Sequence, residues 1–266
     1  MNSQEELSNS ASLAPEDISS SSQTEEIPGK RLILTLVRHG QSESNVGQHS
    51  ANIHDPLTPL GRNQAEQLGK ELSSTHIDHL ISSPYLRAMD TARSIGENNT
   101  ERPDLKPEGH VLIIEQDHGP AVEAARRSGN WVSEYQLRTG KGALSAYSET
   151  PVVPSRIYKP PGGESLESVA ERAQHALLQY LRSYGASFAS MPDVPNDSAD
   201  LIDGVPHAVV VSHNILLTEF YEAMLFFNEP SKRYITPVHF RNASWARYIV
   251  FYDGKHLEFK TMKEPH

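Results

Sequence analysis

The chain has 266 residues, enough for one sizeable α/β domain or two small ones, and apolar segments running from Leu32 to Phe259 favour a single core. A formal net charge of −10 argues against broad contact with nucleic acid or an anionic membrane, so any bound anion must be held by a local cationic pocket. The absence of cysteine excludes disulfides, thiol redox chemistry and cysteine-ligated metals, and fits a cytoplasmic protein, with the nucleus left open.

Residues 1–29 are rich in Ser, Glu and Gln and lack both a basic cluster and an apolar run of signal-peptide length, which predicts a disordered tail before a domain at 30–266. Arg31 to Val37 (RLILTLV) is an apolar run ending abruptly in polar residues, as expected of a strand buried on both faces. Thr58-Pro59 supplies an N-cap and first-turn proline, after which Leu60, Ala65, Leu68 and Leu72 share a helix face. A second strand is expected at His79 to Ser82, a helix from Pro84 to about Ile95, and a third strand at Val111 to Ile114.

From Pro120 to Pro161 helical pieces mix with Gly and Pro without a clean period, which reads as an insertion over one end of the sheet. Leu166, Val169, Ala170, Ala173, Ala176, Leu177, Tyr180 and Leu181 then follow a helical period closely. Gly185 to Pro206 reads as a polar loop, His207 to Val211 as a buried strand, about Ile215 to Phe227 as a helix, and Ala246 to Lys260 as two strands joined at Asp253-Gly254. No window approaches the ~18 consecutive apolar residues of a membrane span. Strands alternating with helices predict an α/β three-layer sandwich: a mostly parallel central sheet with helices on both faces.

In such sheets ligands bind at the carboxyl ends of strands, where three polar clusters fall here: Arg38-His39-Gly40, Ser83 to Arg87, and Ser212-His213. Two arginines and two histidines at one sheet edge make a pocket for a dianion, because guanidinium forks match phosphate oxygens and keep their charge. An isolated Arg-His-Gly after a strand is more often a plain turn; the convergence of three clusters is what favours a site.

VRHGQSESN at Val37 to Asn45 resembles the signature of the histidine phosphatase superfamily, also called phosphoglycerate-mutase-like. SSPYLRAMDTA (Ser82 to Ala92) is similar to its second arginine motif, EQDHG (Glu115 to Gly119) to its acidic motif, PPGGES (Pro160 to Ser165) to an element before a helix, and VVVSH (Val209 to His213) to its second histidine. With LTPLGRNQA (Leu57 to Ala65), the wording resembles a eukaryotic phosphatase-like branch more than the glycolytic mutases. The resemblance implies a phosphomonoester hydrolase acting on a small phosphorylated substrate, with no cofactor and no metal. In it His39 is the nucleophile, forming a phosphohistidine; Arg38, Arg87, Asn45 and His213 hold the phosphoryl oxygens; and Glu115 moves the proton.

Other residues take plainer readings. Glu164 is expected to cap or orient the following helix, His49, His54 and His118 to be solvated or rim residues, with lining of the entrance as the alternative, and Arg126-Arg127 to form a charged helix face, with contact to a second anionic group as the alternative. Asn214 stands where the family usually has glycine; asparagine tolerates a left-handed backbone, so the turn can survive while the pocket narrows. Two further readings stay open. A cofactor-dependent phosphoglycerate mutase normally continues from its Asn into a Phe/Gly/Trp-containing segment, where this chain has NVGQHSANIHDPL, and an inactive phospholigand-binding protein usually loses a core site residue, none of which is lost here. Oligomeric state has no signal in the sequence.

Overall fold

The computed structural model describes residues 29–47, 52–141, 155–193, 201–232 and 239–264. The expected tail, apart from Gly29, and His49 lie outside them, as does the part of the insertion at 142–154. No described helix is long and apolar enough to cross a membrane.

The frame is a seven-stranded sheet: β1 (Gly29–Arg38), β2 (His79–Ser82), β3 (Glu108–Gly109), β4 (Ala186–Phe188), β5 (His207–Ser212), β6 (Trp245–Tyr252) and β7 (Leu257–Lys263), in the order β3-β2-β5-β1-β6-β7 with β4 against the start of β1. The four strands β3, β2, β5 and β1 run parallel, as expected, and β6 and β7 extend the sheet antiparallel beyond β1. Strand alternation decides which side chain meets which layer. Leu32, Leu34 and Leu36 of β1, with Ala208 and Val210 of β5, pack against α5 (Leu166–Tyr184) and α6 (Asn214–Leu225). Val37, Val209 and Val211 face α1 (Pro59–Glu71) and α2 (Leu86–Asn98) on the other side.

α5 keeps its sequence pattern: Val169, Ala170, Ala173, Ala176, Leu177, Tyr180 and Leu181 are all buried, and the Ser165 hydroxyl accepts the Ser168 amide at 3.1 Å as N-cap. α1 departs from its expected face at one position. Leu60 is 54% exposed, and Gly61 is buried in its stead, because a Cβ there would stand 1.9 Å from the Gln41 carbonyl oxygen; the helix start is oriented by backbone packing on the 40–41 loop.

Two segments differ from their expected form. Val111 to Ile114 is not a strand: the edge strand is Glu108–Gly109, and Val111–Ile113 forms a 3-10 turn. Only Ile113 is fully buried, with Leu112 packed at the core's margin and Val111 68% exposed, so the apolar run has no alternation to support a strand. The polar stretch after Gly185 contains β4, whose three residues pair antiparallel with Gly29, Lys30 and Arg31. The stretch expected as an insertion contains α3 (Pro120–Arg127) and α4 (Trp131–Thr139).

Beneath the site a buried polar chain crosses the sheet. Arg247 Nε donates to Thr35 Oγ1 at 3.0 Å, Thr35 Oγ1 lies 2.7 Å from His207 Nε2, and His207 Nδ1 donates to the His76 carbonyl at 2.7 Å. Since that carbonyl can only accept, the proton of His207 sits on Nδ1; burial, then the Arg247 cation, pushes its pKa down to about 3 against the His76 bond, so the imidazole is neutral.

Candidate active site

The parallel register brings three strand ends level: Arg38 of β1 lies opposite Ser212 of β5, and Ser82 of β2 opposite Val211. The chain leaves each strand still hydrogen-bonded to its neighbour, His39 N donating to Ser212 O at 3.0 Å and Ser83 N to Val211 O at 2.9 Å. His39 and Ser83 are therefore fixed by the sheet ladder itself, and His213 follows the last ladder residue of β5 as N-cap of α6. The 39–41 turn then packs on α1 and α2: a Cβ on Gly40 would meet the Gly61 carbonyl oxygen at 2.5 Å, and the Gly40 amide donates to Thr91 Oγ1 at 3.1 Å.

His39 is 3% exposed. Its Nδ1 lies 2.6 Å from the Gly40 carbonyl oxygen and must donate to it, and Arg87 Nε donates to its Nε2 at 3.2 Å. Nε2 therefore carries a lone pair and no proton. Burial, then the nearby Arg87 cation, holds the imidazole well below its usual pKa; the Gly40 bond offsets this in part and Arg38 reinforces it.

Arg87, 2% exposed, is held on several sides: besides His39 it donates to Asn52 O at 3.0 Å and lies 3.5 Å from Asp55 Oδ2. A buried guanidinium needs such a counter-charge, and Asp55 is itself held by the amide and hydroxyl of Ser44, at 3.1 and 2.5 Å. Arg38 donates through Nη1 to Phe240 O at 2.6 Å. Asn214 Oδ1 accepts the Phe240 amide at 3.0 Å, so the residue standing in place of glycine braces the loop that braces Arg38. Asn214 is the first residue of α6, and the only non-glycine residue with positive φ among those described is Ala243; the expected left-handed turn at Asn214 is not formed.

Asn45 Oδ1 accepts from the Ser42 amide at 3.1 Å and from Asn242 Nδ2 at 3.0 Å, while Asn242 Nδ2 also donates to His39 O at 3.1 Å. Asn45 also lines the cavity, and with its oxygen so engaged the group it has left to offer a ligand is its amide NH2. His213 is fully buried behind this layer, its ring 5.0 Å from that of His39 edge to face, with Nε2 2.8 Å from Ser83 Oγ and Nδ1 without a partner.

Arg38, His39, Asn45, Arg87 and Glu115 line one cavity of about 160 Å³, whose far end, toward α3, is lined by Asp117, His118, Glu123 and Arg126. Glu115 accepts the Gln116 amide at 3.0 Å and the first-turn amides of α6, Leu216 at 3.3 Å and Ile215 at 3.5 Å. Burial raises its pKa above the ordinary carboxylate value; the amide bonds and Arg87 pull the other way and lose. The segment that carries it is clamped by Arg172, which donates to the carbonyls of Leu112, Ile114 and Glu115 and pairs with Glu164 at 3.0 Å. Glu164 thus orients both α5 and the acidic segment. The two segments also touch backbone to backbone: Gly119, at φ 80°, has Pro161 O 2.3 Å from where a Cβ would lie, and Glu164 N donates to Asp117 O at 2.6 Å.

Sequence reasoning named Arg38, His39, Asn45, Arg87 and Glu115, which the structure brings to one cavity, and His213, which does not line it; it gave no role to Asp55, Arg172 or Asn242, none of them in a family motif, or to Thr91, which lies inside SSPYLRAMDTA. His54 lies in a described turn but not among the cavity residues.

Residues 34–189 match the histidine phosphatase superfamily, branch 1. The chain is 30% identical over 226 residues to the fructose-2,6-bisphosphatase TIGAR of Xenopus tropicalis, covering 83% of this chain and 76% of that protein. It is 34% identical over 193 residues to phosphoserine phosphatase 1 of Hydrogenobacter thermophilus, covering 72% and 75%. Among solved structures, a mycobacterial glucosyl-3-phosphoglycerate phosphatase superposes with a TM-score of 0.59 at 22% identity, over 88% of this chain and 98% of that one, a likeness of fold. The family match takes in Arg38, His39, Arg87 and Glu115 and spans more than half of the chain, and the first of these relatives extends the likeness further; the chain belongs to the histidine phosphatase superfamily.

Proposed function

We propose that the chain hydrolyses a small phosphomonoester by way of a phosphohistidine on His39. The observation that carries this reading is the state of His39: Nδ1 is committed to the Gly40 carbonyl and Nε2 presents a lone pair beside the fixed Arg87 guanidinium. Nε2 attacks phosphorus as the ester P–O bond breaks, and Glu115 donates its proton to the departing oxygen. Water then attacks the phosphohistidine, Glu115 takes up a water proton, and the N–P bond breaks to release inorganic phosphate and the free imidazole. Arg38, Arg87 and the amide of Asn45 meet the charge on the phosphoryl oxygens, with His213 Nδ1 as a further donor. Because two arginines supply that charge compensation, the reading asks for no metal and no cofactor. It sets the reaction in the cytoplasm, consistent with a chain that has no cysteine to oxidise.

The test is release of phosphate from p-nitrophenyl phosphate between pH 4 and 8 with EDTA present, comparing the native chain with His39→Ala. Turnover that persists in EDTA and falls at least about 1000-fold in the variant is expected. Turnover retained by His39→Ala, or lost on chelation, would overturn the mechanism.

A further inference from the structure

The far end of the cavity differs in chemistry from the phosphate end. Its lining charges are one cation, Arg126, against two carboxylates, Asp117 and Glu123. Arg126 is already committed: Nη1 donates to Glu123 Oε1 at 2.8 Å, while Nε and Nη2 donate to Glu134 Oε1 at 3.1 and 3.0 Å. Arg127 and Arg138 are near enough to be felt by Glu123 and His118 respectively but do not line the cavity. Two polar atoms at this end are buried with no hydrogen-bond partner, Glu123 Oε2 and His118 Nδ1. His118 is neutral near pH 7, since burial and then the Arg126 and Arg138 cations push its pKa down to about 4.

We propose that this end is a subsite for an uncharged, hydroxylated leaving group, read by Glu123 and His118, and that it discriminates against a second phosphate. The inference rests on the phosphomonoesterase reading above and names the substrate class for the same site. Ionised against Arg126 through Oε1, Glu123 offers Oε2 only as an acceptor, so that atom needs a donor, and a sugar or polyol hydroxyl supplies one. A hydroxyl both donates and accepts, so it also satisfies a neutral imidazole nitrogen in either tautomer. A second phosphate is an acceptor, leaves Glu123 Oε2 unpaired, and brings like charge against Glu123 and Asp117 where the one lining guanidinium is already spent on two carboxylates.

The experiment uses the full chain and a matched pair of substrates, fructose 6-phosphate and fructose 1,6-bisphosphate, whose leaving groups differ by one phosphate. The ratio of kcat/KM, monophosphate over bisphosphate, is expected to be about 10 or more in the native chain and to fall toward one or below in Glu123→Gln, which keeps the shape and removes the charge. A native ratio below one, or a ratio that Glu123→Gln leaves unchanged, would overturn the inference. A folding defect lowers both rates together and leaves the ratio alone, so Glu123→Ala, run beside it, must shift the ratio in the same direction. Fructose phosphate hydrolysis that survives His39→Ala would instead bring down the phosphohistidine reading, and the subsite with it.

Discussion

The two ends of the cavity are held in place by different means. At the phosphate end the backbone sets position: His39 and Ser83 continue the sheet ladder, and Gly40 lies against Gly61 with no side chain between them. At the far end Asp117 is still held through its backbone, but Glu123 and Arg126 are set by side chains, through the ion pairs of Arg126 with Glu123 and Glu134 on two short helices, α3 and α4. Groups fixed by the ladder are pre-organised for charge that develops in a transition state, whereas groups fixed by partly exposed ion pairs can be exchanged at small cost to the fold. The near end is therefore suited to carry the chemistry and the far end to carry selectivity.

Substitutions at the near end should break activity hardest. Arg87→Lys removes both the bond to His39 and the fork that also reaches Asn52, and kcat/KM is expected to fall about 100- to 1000-fold, with retained near-UV circular dichroism showing that the fold survives. Glu115→Gln should lower turnover of alkyl phosphates about 100-fold while sparing p-nitrophenyl phosphate, whose leaving group needs little proton assistance. In the native chain the same residue sets a pH limb: its raised pKa keeps it protonated further toward neutrality, so turnover of alkyl phosphates should fall as pH rises through that pKa. His39, with its pKa depressed, stays a competent nucleophile on the acid side.

The frame under the near end has its own pH signature. His207 titrates near 3 in the fold and near 6.5 when unfolded, so the stability it contributes is full above about pH 6.5 and is lost as pH falls toward 3. A loss on the order of a few kcal/mol is expected from urea midpoints taken across that range, and His207→Gln, which can still donate to the His76 carbonyl, should flatten the slope. The smallest effect expected is at Asn214. Its alanine variant frees the Phe240 amide and loosens Arg38 at one remove, so kcat/KM should drop by roughly 5-fold, about one hydrogen bond, with less change in stability than in activity.

The same division explains what the sequence discloses. An apolar run that stops at Arg-His-Gly marks a strand end and what projects from it, so the order of residues along the chain suffices to gather Arg38, His39, Arg87 and His213 at one edge, and the helical period of α5 carries through intact. Asp55, Asn242 and Arg172 escape such reasoning, because each acts through a contact distant in sequence and none sits in a periodic or motif context. Val111 to Ile114 misleads for a related reason: four apolar residues in a row read alike as an edge strand or as one turn with a single buried position. At the far end Glu123 and Arg126 have the spacing of an ordinary solvated helix pair, and only the packing of α3 across the cavity gives them another meaning.

The bond between His39 Nδ1 and the Gly40 carbonyl bears on more than the resting tautomer. With that nitrogen turned into the protein and occupied, a phosphoryl group on His39 has one atom on which to reside. Free phosphohistidine exists as two regioisomers that exchange and hydrolyse at different rates, and the fold permits one of them. Rapidly quenched under alkali, the covalent species should give a single phosphoramidate resonance, linked through Nε2, whichever substrate delivered the phosphate.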